Sequence, residues 1–173
     1  MQAKRVRYDV IGLAETRRCQ PFNAVYDTGE KLFIGTCDSR GVGGVGVLVN
    51  TSLFMNIDSF EQLAIRIGRL RLRRRGSILA LTISVVYAPT SNYDKEEVEA
   101  FYIDLEKLYR VDHTFFMAII GDFNPKTGPR RTSEESHIWT HGLEWNKQGE
   151  RLYEFIMANK TTHGNSQNDA ERR

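Results

Sequence analysis

Residues 78–87 are apolar on nearly both faces of an extended chain. A strand with two apolar faces belongs in the centre of a sheet, where other layers cover both of its sides. Directly before it, residues 64–75 alternate apolar side chains with arginines, and Gly76-Ser77 supplies a turn between the two segments. The two segments therefore predict a β-hairpin, and a phase shift at Gly68 indicates a β-bulge in its first arm.

The rest of the chain combines further strand signals with two helix signals. Short apolar segments bounded by turn residues predict strands at residues 8–13, 24–26, 31–35, 45–49 and 114–120. Asp94 and Glu97 form a capping box for a helix over about residues 95–109, and a second amphipathic helix is predicted at 149–159. The polar segment 161–173 has no pattern, and we expect it to be disordered. We predict one α/β domain over residues 1–160, with a largely antiparallel, mixed sheet.

The composition excludes several classes of protein. With 173 residues, 40% hydrophobic and 27% charged, the chain is long enough for one folded domain and too balanced for an intrinsically disordered one. No apolar run approaches the roughly 20 residues that span a bilayer, and no signal-peptide core follows the basic N-terminus. Cys19 and Cys37 are too few for a disulfide scaffold and lack zinc-site spacing. We therefore expect no membrane partner and an intracellular protein, nuclear or cytoplasmic, that is not secreted.

Two stretches invite comparison with phosphate-binding elements. Six arginines are concentrated between residues 66 and 75, although the net charge of the whole chain is only +2. Such a run can bind nucleic-acid phosphates by displacing counterions, but a solvated hairpin with arginines on its outer face explains it equally well. The glycine-rich stretch 41–46 lacks the Lys-Ser/Thr of a phosphate loop, so it predicts a turn that enters a strand.

Gly121-Asp122-Phe123-Asn124 follows a buried-strand signal and brings a carboxylate and a carboxamide to the end of that strand. Asp122 and Asn124 would point the same way in extended backbone, because side chains on a strand alternate between its faces. Gly121 would let the backbone turn where a Cβ would crowd an approaching ligand. A carboxylate beside an amide donor suits a phosphoryl substrate, although a strand followed by an Asp/Asn turn gives the same pattern.

Two more polar side chains follow predicted strands. Glu15 ends the strand near the N-terminus, and Tyr87 ends the central strand before Ala88-Pro89. Each alone has a simpler explanation, because a Glu after a strand is often a turn residue and a Tyr often packs at a sheet edge. If the strands lie side by side, however, both residues converge with Asp122 and Asn124 on one rim. This joint pattern predicts a functional site there.

The chain resembles the endonuclease/exonuclease/phosphatase superfamily in three motifs that keep the family's order: Leu13-Ala14-Glu15-Thr16, Val86-Tyr87-Ala88-Pro89-Thr90 and Gly121-Asp122-Phe123-Asn124. Two further stretches resemble the apurinic-endonuclease-like domains of non-LTR retrotransposons and craniofacial development protein 2-like proteins: residues 41–46 and the core Asn146-x-x-Gly149-x-x-Leu152. The resemblance covers about residues 8–166. It implies an α/β fold of the deoxyribonuclease I-like type, a two-sheet β-sandwich flanked by helices, with the site at one end.

The resemblance also implies a role for each matching residue. Glu15 resembles the family's metal-ligating glutamate, which implies Mg²⁺, or Mn²⁺, as the cofactor. Tyr87 looks like the tyrosine that contacts the scissile phosphate, Asp122 like the residue that positions or deprotonates the attacking water, and Asn124 like a donor to the same phosphate. The implied activity is hydrolysis of a DNA phosphodiester by direct attack of water. Our own addition, outside the motifs, is that four arginines help to hold the DNA backbone: Arg17, Arg71, Arg73 and Arg75.

The chain departs from the family's pattern at both ends. The family's first strand, with its supporting Asn, has no counterpart before Tyr8, and no Asp followed by a Ser/Gly-Asp-His motif occurs after Asp122. We expect no catalytic role for the four histidines: His113, His137, His141 and His163. The resemblance therefore implies an incomplete, retrotransposon-derived domain, truncated at both ends, with weak or no nuclease activity of its own, because such catalytic groups act as a unit.

Two other functions are compatible with the sequence. One is a sister activity in the same superfamily, on phosphoinositides or sphingomyelin, although the retrotransposon-like stretches continue through non-catalytic regions and count against it. The other is a non-catalytic nucleic-acid or protein-binding module with the same fold, which would keep the arginine hairpin and bind without cleavage.

Overall fold

The computed structural model describes residues 8–73, 80–90, 92–111, 116–125 and 146–161. The chain divides into two compact units, residues 1–88 with 110–122 and residues 89–109 with 123–173. The eight strands that the structure describes all belong to the first unit, and the second unit contains one helix and most of another. Within the described ranges, no helix has both the length and the apolar character that crossing a bilayer requires.

The first sheet consists of four antiparallel strands. They are β1 (Val10–Ala14), β2 (Phe22–Val25), β3 (Lys31–Ile34) and β4 (Val45–Val49), in the spatial order β1-β4-β3-β2. The turn between β2 and β3 is closed by the N–H of Gly29, which donates to the carbonyl of Tyr26 at 2.8 Å. All four strands confirm the sequence prediction, with boundaries that move by at most two residues.

The second sheet is mixed, as predicted. It contains β5 (Ile57–Ala64), β6 (Ile67–Arg73), β7 (Ala80–Tyr87) and β8 (Phe116–Asp122), in the order β5-β6-β7-β8. A short 3₁₀ helix, Thr51–Asn56, leads into it. Only β7 and β8 pair in parallel, and the other pairs are antiparallel. The doubly apolar strand β7 lies between β6 and β8, which confirms its predicted central position.

The strand β5 was not predicted, and the first hairpin arm was placed too early. The structure ends β5 at Ala64, forms a turn at Ile65 and Arg66, and begins β6 only at Ile67. The pairing of β5 shifts after Ile57, which breaks the two-residue alternation that identifies a strand in a sequence. Residues 74–79, which contain the predicted turn of the hairpin, lie outside the described part of the chain.

The bulge predicted at Gly68 is wrong. The strand β6 keeps an unbroken register with β7, and the nearby irregularity lies on β5, between Gln62 and Ala64. The phase shift in the sequence has another cause, because Ile67 and Gly68 point to opposite faces of β6 and both are buried. In the sequence, a strand that begins with two buried residues on opposite faces has the same polarity pattern as a strand with a bulge.

The core of the first unit lies between its two sheets, as expected for a β-sandwich. The strand β1 packs on β7 and β8, and β4 packs on β6 and β7. On β1, a methyl group added at Gly12 would come within 3.0–3.2 Å of Ile120 and Val85, so the two sheets pack tightly there. Burial of each core side chain contributes about 1.5–3 kcal/mol. The buried cluster draws on both sheets: Phe33, Val45, Val47, Val49, Leu70, Leu72, Ile83, Val85 and Tyr87.

The second unit contains the helical part of the fold, α1 (Lys95–Val111) and α2 (Lys147–Asn159). The side chain of Asp94 accepts a hydrogen bond from the N–H of Glu97 at 2.8 Å, which confirms the predicted cap of α1. The predicted apolar stripes are also confirmed, since these residues are buried: Val98, Phe101, Leu105 and Leu108 on α1, and Leu152, Phe155 and Ile156 on α2. Together with the two four-stranded sheets, these helices confirm the α/β class.

The motif Asn146-x-x-Gly149-x-x-Leu152 has a structural explanation. Asn146 is the N-cap of α2, and its side-chain oxygen accepts a hydrogen bond from the N–H of Gly149 at 2.8 Å. Gly149 and Leu152 are both buried. The helix therefore begins two residues before the predicted start, because the Asn and not the Gly marks its boundary.

Candidate functional site

The ends of β7 and β8 bring Tyr87 and Asp122 side by side. The two residues are register partners in the parallel pair, so their side chains lie on the same face of the sheet. The carbonyl of Asp122 accepts a hydrogen bond from the N–H of Ala88 at 2.8 Å, which continues the pairing past the end of β7. This face is the inner one, since Val85 and Ile120, two residues earlier on each strand, pack in the sandwich.

Backbone hydrogen bonds connect the end of β1 to the turn between β5 and β6. The N–H of Thr16 donates to the carbonyl of Gly44 at 3.1 Å, and the N–H of Arg17 donates to Gly43 at 3.2 Å. The N–H of Gly44 in turn donates to the carbonyl of Ile65 at 3.2 Å. The turn that carries Glu15 is thereby fixed beside the turn between β5 and β6.

The same β5–β6 turn contacts Tyr87. The carbonyl of Arg66 accepts from the N–H of Tyr87 at 3.0 Å, and the Arg66 guanidinium lies 5.2 Å from the centre of the Tyr87 ring. Nη1 of Arg66 also donates to the Tyr87 carbonyl at 3.4 Å. A continuous series of contacts therefore places the strand ends that carry Glu15, Tyr87 and Asp122 at the same end of the sandwich. Sequence reasoning gave Arg66 no such role, because no local signal marks a contact between residues so far apart.

Glu15 and Arg17 form an ion pair within the β1 turn. Nε of Arg17 donates to Oε1 of Glu15 at 3.2 Å, and Nη2 of Arg17 contacts the same oxygen. The hydrogen bond and the charge of Glu15 raise the pKa of Arg17, and the Tyr87 phenol raises it slightly further. Both side chains are accessible, with 38% of Glu15 and 65% of Arg17 exposed. Only 7% of Tyr87, by contrast, is exposed.

The backbone is strained at three of the predicted site residues. Glu15, Arg17 and Asn124 have φ angles of 54°, 51° and 50°, in the left-handed region that side chains other than glycine rarely adopt. Among the described residues, the only other non-glycine with such a φ is Lys160, which ends α2. Strain of this kind costs about 1–3 kcal/mol and is concentrated at binding and catalytic sites in proteins.

The glycine-rich loop before β4 supports the β1 turn. Gly41, Gly43 and Gly44 have φ angles between 73° and 83°, and β4 begins directly after them, which confirms the predicted turn and strand entry. The carboxylate of Asp38 accepts from the N–H groups of Arg40 and Val42, both at 2.9 Å. The hydrogen bond from the Val42 N–H contributes most to lowering the pKa of Asp38.

Asn124 lies in the second unit and is described within it. The strand β8 ends at Asp122, and Asn124 has left-handed rather than extended backbone. The expected alternation of Asp122 and Asn124 along one strand face therefore does not apply. The carbonyl of Asn124 accepts a hydrogen bond from the side-chain amide of Asn146 at 3.4 Å, which ties this residue to the N-cap of α2.

The reason for Gly121 differs from the one expected. Its φ is 143°, and a Cβ there would overlap the backbone of Val86 on the neighbouring strand. The glycine thus permits the close approach of β8 to β7. A side chain at this position would clash with β7, not with a ligand.

The arginines of the hairpin are distributed along β6. Arg69 is paired with Glu61 at 2.6 Å, and Arg73, which is 75% exposed, is paired with Asp58 at 2.6 Å. Arg71 is half-buried, with Ser59 and Thr82 as its register partners. Arg75 and the four histidines lie outside the described residues.

Carboxylate oxygens at this end of the sandwich are of the ligand type that hard divalent cations take. The carboxylates of Glu15 and Asp122 supply oxygen ligands, and Mg²⁺ takes one or two protein carboxylates while keeping several waters. The Arg17 guanidinium is paired with the Glu15 carboxylate and would compete with a metal ion there. The Thr16 hydroxyl is buried and, among the described residues, has no hydrogen-bond partner. No group of three or more acidic, His or Cys side chains suited to a metal occurs in the described ranges.

The comparisons with known proteins agree with the motifs. The chain is 28% identical to craniofacial development protein 2 of Bos taurus over 160 residues, which are 92% of this chain and 26% of that protein. The protein of the same name from Tragulus javanicus is 27% identical over 163 residues, 94% of this chain and 28% of the relative. The chain thus spans about a quarter of the length of these curated relatives. No protein-family model matches it.

Among solved structures, the chain is similar to the endonuclease domain of TRAS1, a telomere-specific non-LTR retrotransposon. The TM-score is 0.49 at 14% sequence identity, and the match covers 75% of this chain and 52% of that one. The predicted resemblance to craniofacial development protein 2 is confirmed by the two curated relatives.

Proposed function

We propose that this chain carries part of a divalent-metal-dependent phosphodiesterase site that acts on DNA. The observation that supports this most strongly is the convergence of Glu15, Tyr87 and Asp122 on one end of the sandwich, from three separate strands. A carboxylate for a metal, a phenol donor and a second carboxylate for water are among the groups that hydrolysis of a phosphodiester uses. The strained backbone at Glu15 and Arg17 also supports a functional use of this turn.

Each residue has a distinct proposed role. Glu15 holds Mg²⁺, or Mn²⁺, which when bound supplies positive charge to the oxygens of the phosphoryl group. Tyr87 donates its phenol proton in a hydrogen bond to a phosphate oxygen, and its position is maintained by the Arg66 contacts. Asp122 orients the attacking water and accepts its proton as the bond to phosphorus forms. Asn124 is proposed as a phosphate donor on the basis of the motif resemblance alone.

Arginines are proposed to hold the DNA backbone, with Arg17 beside the reacting group and Arg73 at the far end of β6, where it is the register partner of Ala80. Arg17 is accessible, so its guanidinium could leave Glu15 for a phosphate if the carboxylate bound a metal. Arg73 is exposed, and surface ion pairs such as Arg73–Asp58 contribute only about 0–1 kcal/mol, so exchange for a phosphate costs little. Arg71 and Arg75 are proposed for the same role on the basis of the sequence pattern.

We expect low catalytic activity and a mobile-element origin. The motif resemblance supports the origin, because it extends to the retrotransposon-like stretches. Low activity is expected of these 173 residues by themselves, because the family's Asp-His motif does not follow Asp122 within them. One observation favours a second candidate, a nucleic-acid-binding module without catalysis. Glu15 is already paired with Arg17, as a carboxylate with a purely structural role would be.

Nicking of supercoiled plasmid tests the proposed function. At high protein concentration with Mn²⁺ or Mg²⁺, we expect slow conversion to open circles, because only part of the hydrolytic set is present. Asp122→Asn keeps the shape of the side chain but cannot accept the proton of water, so the rate should fall at least tenfold, to the background measured with EDTA.

Asp104→Asn is the matched control for this experiment. Asp104 is exposed on α1 and paired with Lys107, so the same chemical change should leave nicking unaltered. Equal nicking by the wild type and Asp122→Asn would remove Asp122 from the mechanism. Salt-sensitive DNA binding without any metal-dependent nicking would favour the binding module.

Metal affinity gives a second measurement that does not depend on turnover. In Arg17→Gln, Glu15 loses the competing guanidinium, so we expect Mn²⁺ to bind about two- to fivefold more tightly, in line with the modest strength of surface ion pairs. Mn²⁺ binding can be followed by electron paramagnetic resonance of the free ion.

Arg18→Gln makes the same change of charge one residue away. Arg18 stacks on the Phe22 ring at 4.5 Å instead of pairing with Glu15, so its loss should change Mn²⁺ affinity much less. If both variants change the affinity equally, net charge is responsible and Glu15 is not the ligand.

A further inference from the structure

The two cysteines lie on opposite sides of the β2–β3 hairpin, at its open end. Phe22 and Ile34 are register partners in this hairpin. Cys19 lies three residues before Phe22, and Cys37 lies three residues after Ile34. Continued along the chain, the antiparallel register therefore places the two cysteines opposite each other. We propose that Cys19 and Cys37 form a reversible disulfide that fastens the β1 turn to the loop after β3.

Hydrogen bonds show that the two segments stay together beyond the hairpin. The N–H of Cys37 donates to the carbonyl of Arg18 at 2.7 Å, so the backbone next to Cys19 is in contact with Cys37. The Cys19 thiol is also one of the groups that raise the pKa of the Cys37 thiol. Two thiols in this relation need little movement to reach bonding distance, since a disulfide requires neighbouring Cβ atoms and not a large rearrangement.

The two thiols differ in their surroundings. Cys19 is exposed, whereas Cys37 is half-buried, and both are free thiols in this structure. Partial burial raises the pKa of the Cys37 thiol, and its hydrogen bond to Cys19 raises it further. Cys19 is therefore the thiol that an oxidant reaches first, and Cys37 is the resolving thiol that completes the bond.

The oxidant we assign is a low-molecular-weight disulfide of the glutathione type. The Cys19 thiolate attacks one sulfur, forming a mixed disulfide and releasing one thiol as the original S–S bond breaks. Cys37 then loses its proton and attacks the Cys19 sulfur, which forms the protein disulfide and releases the second thiol. Two protein thiols are oxidised, and one small disulfide is reduced to two thiols.

The consequence concerns the turn that carries Glu15 and Arg17. This turn is joined to the glycine-rich loop by the hydrogen bonds of Thr16 and Arg17, and the disulfide would add a covalent link beside them. Oxidation should therefore restrict the exchange of Arg17 away from Glu15. This consequence rests on the proposed function, whereas formation of the disulfide does not.

Oxidised glutathione and intact-mass measurement under native conditions test the proposal. We expect the wild-type chain to lose two hydrogen atoms without a lasting glutathione adduct, and peptide mapping to find the Cys19 peptide joined to the Cys37 peptide. The melting temperature should rise by about 5 °C, because the bond closes the whole hairpin loop, and a reducing thiol should reverse the rise.

Single variants distinguish the proposal from simple thiol modification. Cys37→Ser should accumulate a stable glutathione adduct at Cys19, because the resolving thiol is missing, and Cys19→Ser should react slowly. A lasting adduct on the wild-type chain, or a disulfide between two chains, would overturn the proposal. None of these measurements depends on nuclease activity. The disulfide proposal can therefore be wrong while the proposed function is right, and the proposed function can be wrong while the disulfide proposal is right.

Discussion

Gly121→Ala is expected to destabilise the sandwich unit by about 3–5 kcal/mol. The backbone at Gly121 has a φ of 143°, which is strained by about 1–3 kcal/mol for any other residue, and the new methyl group would overlap the backbone of Val86. Overpacking of this kind adds about 1–3 kcal/mol, since backbone atoms cannot step aside as a flexible side chain can. Urea unfolding of the variant and the wild type measures the loss.

Gly41→Ala is the matched control for this substitution. Gly41 also has a positive φ, of 73°, but a Cβ there would meet no atom within 4 Å. Its replacement should cost only the backbone strain, about 1–2 kcal/mol. If the two variants are equally destabilised, the contact between β8 and β7 is not the reason for the glycine at position 121.

Gly121→Ala should also affect the proposed site, because Asp122 is the next residue. Alanine at position 121 would push β8 away from β7 at the point where Asp122 pairs with Tyr87. Because catalytic groups tolerate misplacement poorly, we attribute the glycine of this motif to the alignment of the carboxylate beside the phenol. The motif thus encodes a strand contact as well as a chemical group.

The parts of the fold that sequence reasoning obtained correctly depend on local signals. The central position of β7 follows from its two apolar faces, and the cap of α1 follows from Asp94, which lies three residues before its partner. Such features are complete within about ten residues of chain. The missed strand β5 is different, because its identity depends on its pairing with β6 and its irregular register hides the alternation.

The candidate site likewise combines features that local sequence signals predict with features that they do not. The convergence of three strand ends was a prediction from the positions of Glu15, Tyr87 and Asp122 after apolar segments, and the backbone contacts bring those strand ends together. The left-handed backbone at Glu15 and the stacking of Arg66 on Tyr87 had no sequence signal. Both features depend on contacts between segments that are distant in the sequence. The residue pattern within one segment does not contain that information.

Arg151→Ala is expected to destabilise the helical unit by about 2–3 kcal/mol. The Arg151 side chain is only 17% exposed and joins the two helices, with Glu99 on α1 at 3.2 Å and Glu106 on α1 at 3.3 Å. It also pairs with Glu154 on α2 at 3.3 Å and lies 5.0 Å from the centre of the Tyr102 ring. Its removal leaves three carboxylates without their shared cation, and the expected loss is below the 3–5 kcal/mol of a fully buried pair because the acids are partly exposed. Thermal and urea unfolding measure the change.

Lys107→Ala provides the comparison, because Lys107 is an exposed cation of α1 in a single pair with Asp104. Its loss should stay within about 0.5 kcal/mol, as for other surface pairs. Arg151→Lys should fall between the two, since one ammonium replaces the charge but cannot reach carboxylates on both helices as a guanidinium does. Equal stability of Arg151→Ala and Lys107→Ala would show that apolar packing alone holds α2 on α1.

The result also concerns Asn124, because α2 begins at Asn146, whose side chain holds the Asn124 carbonyl. A loosened α2 should therefore release Asn124 from its left-handed conformation, and nuclear magnetic resonance shifts of that amide would report it.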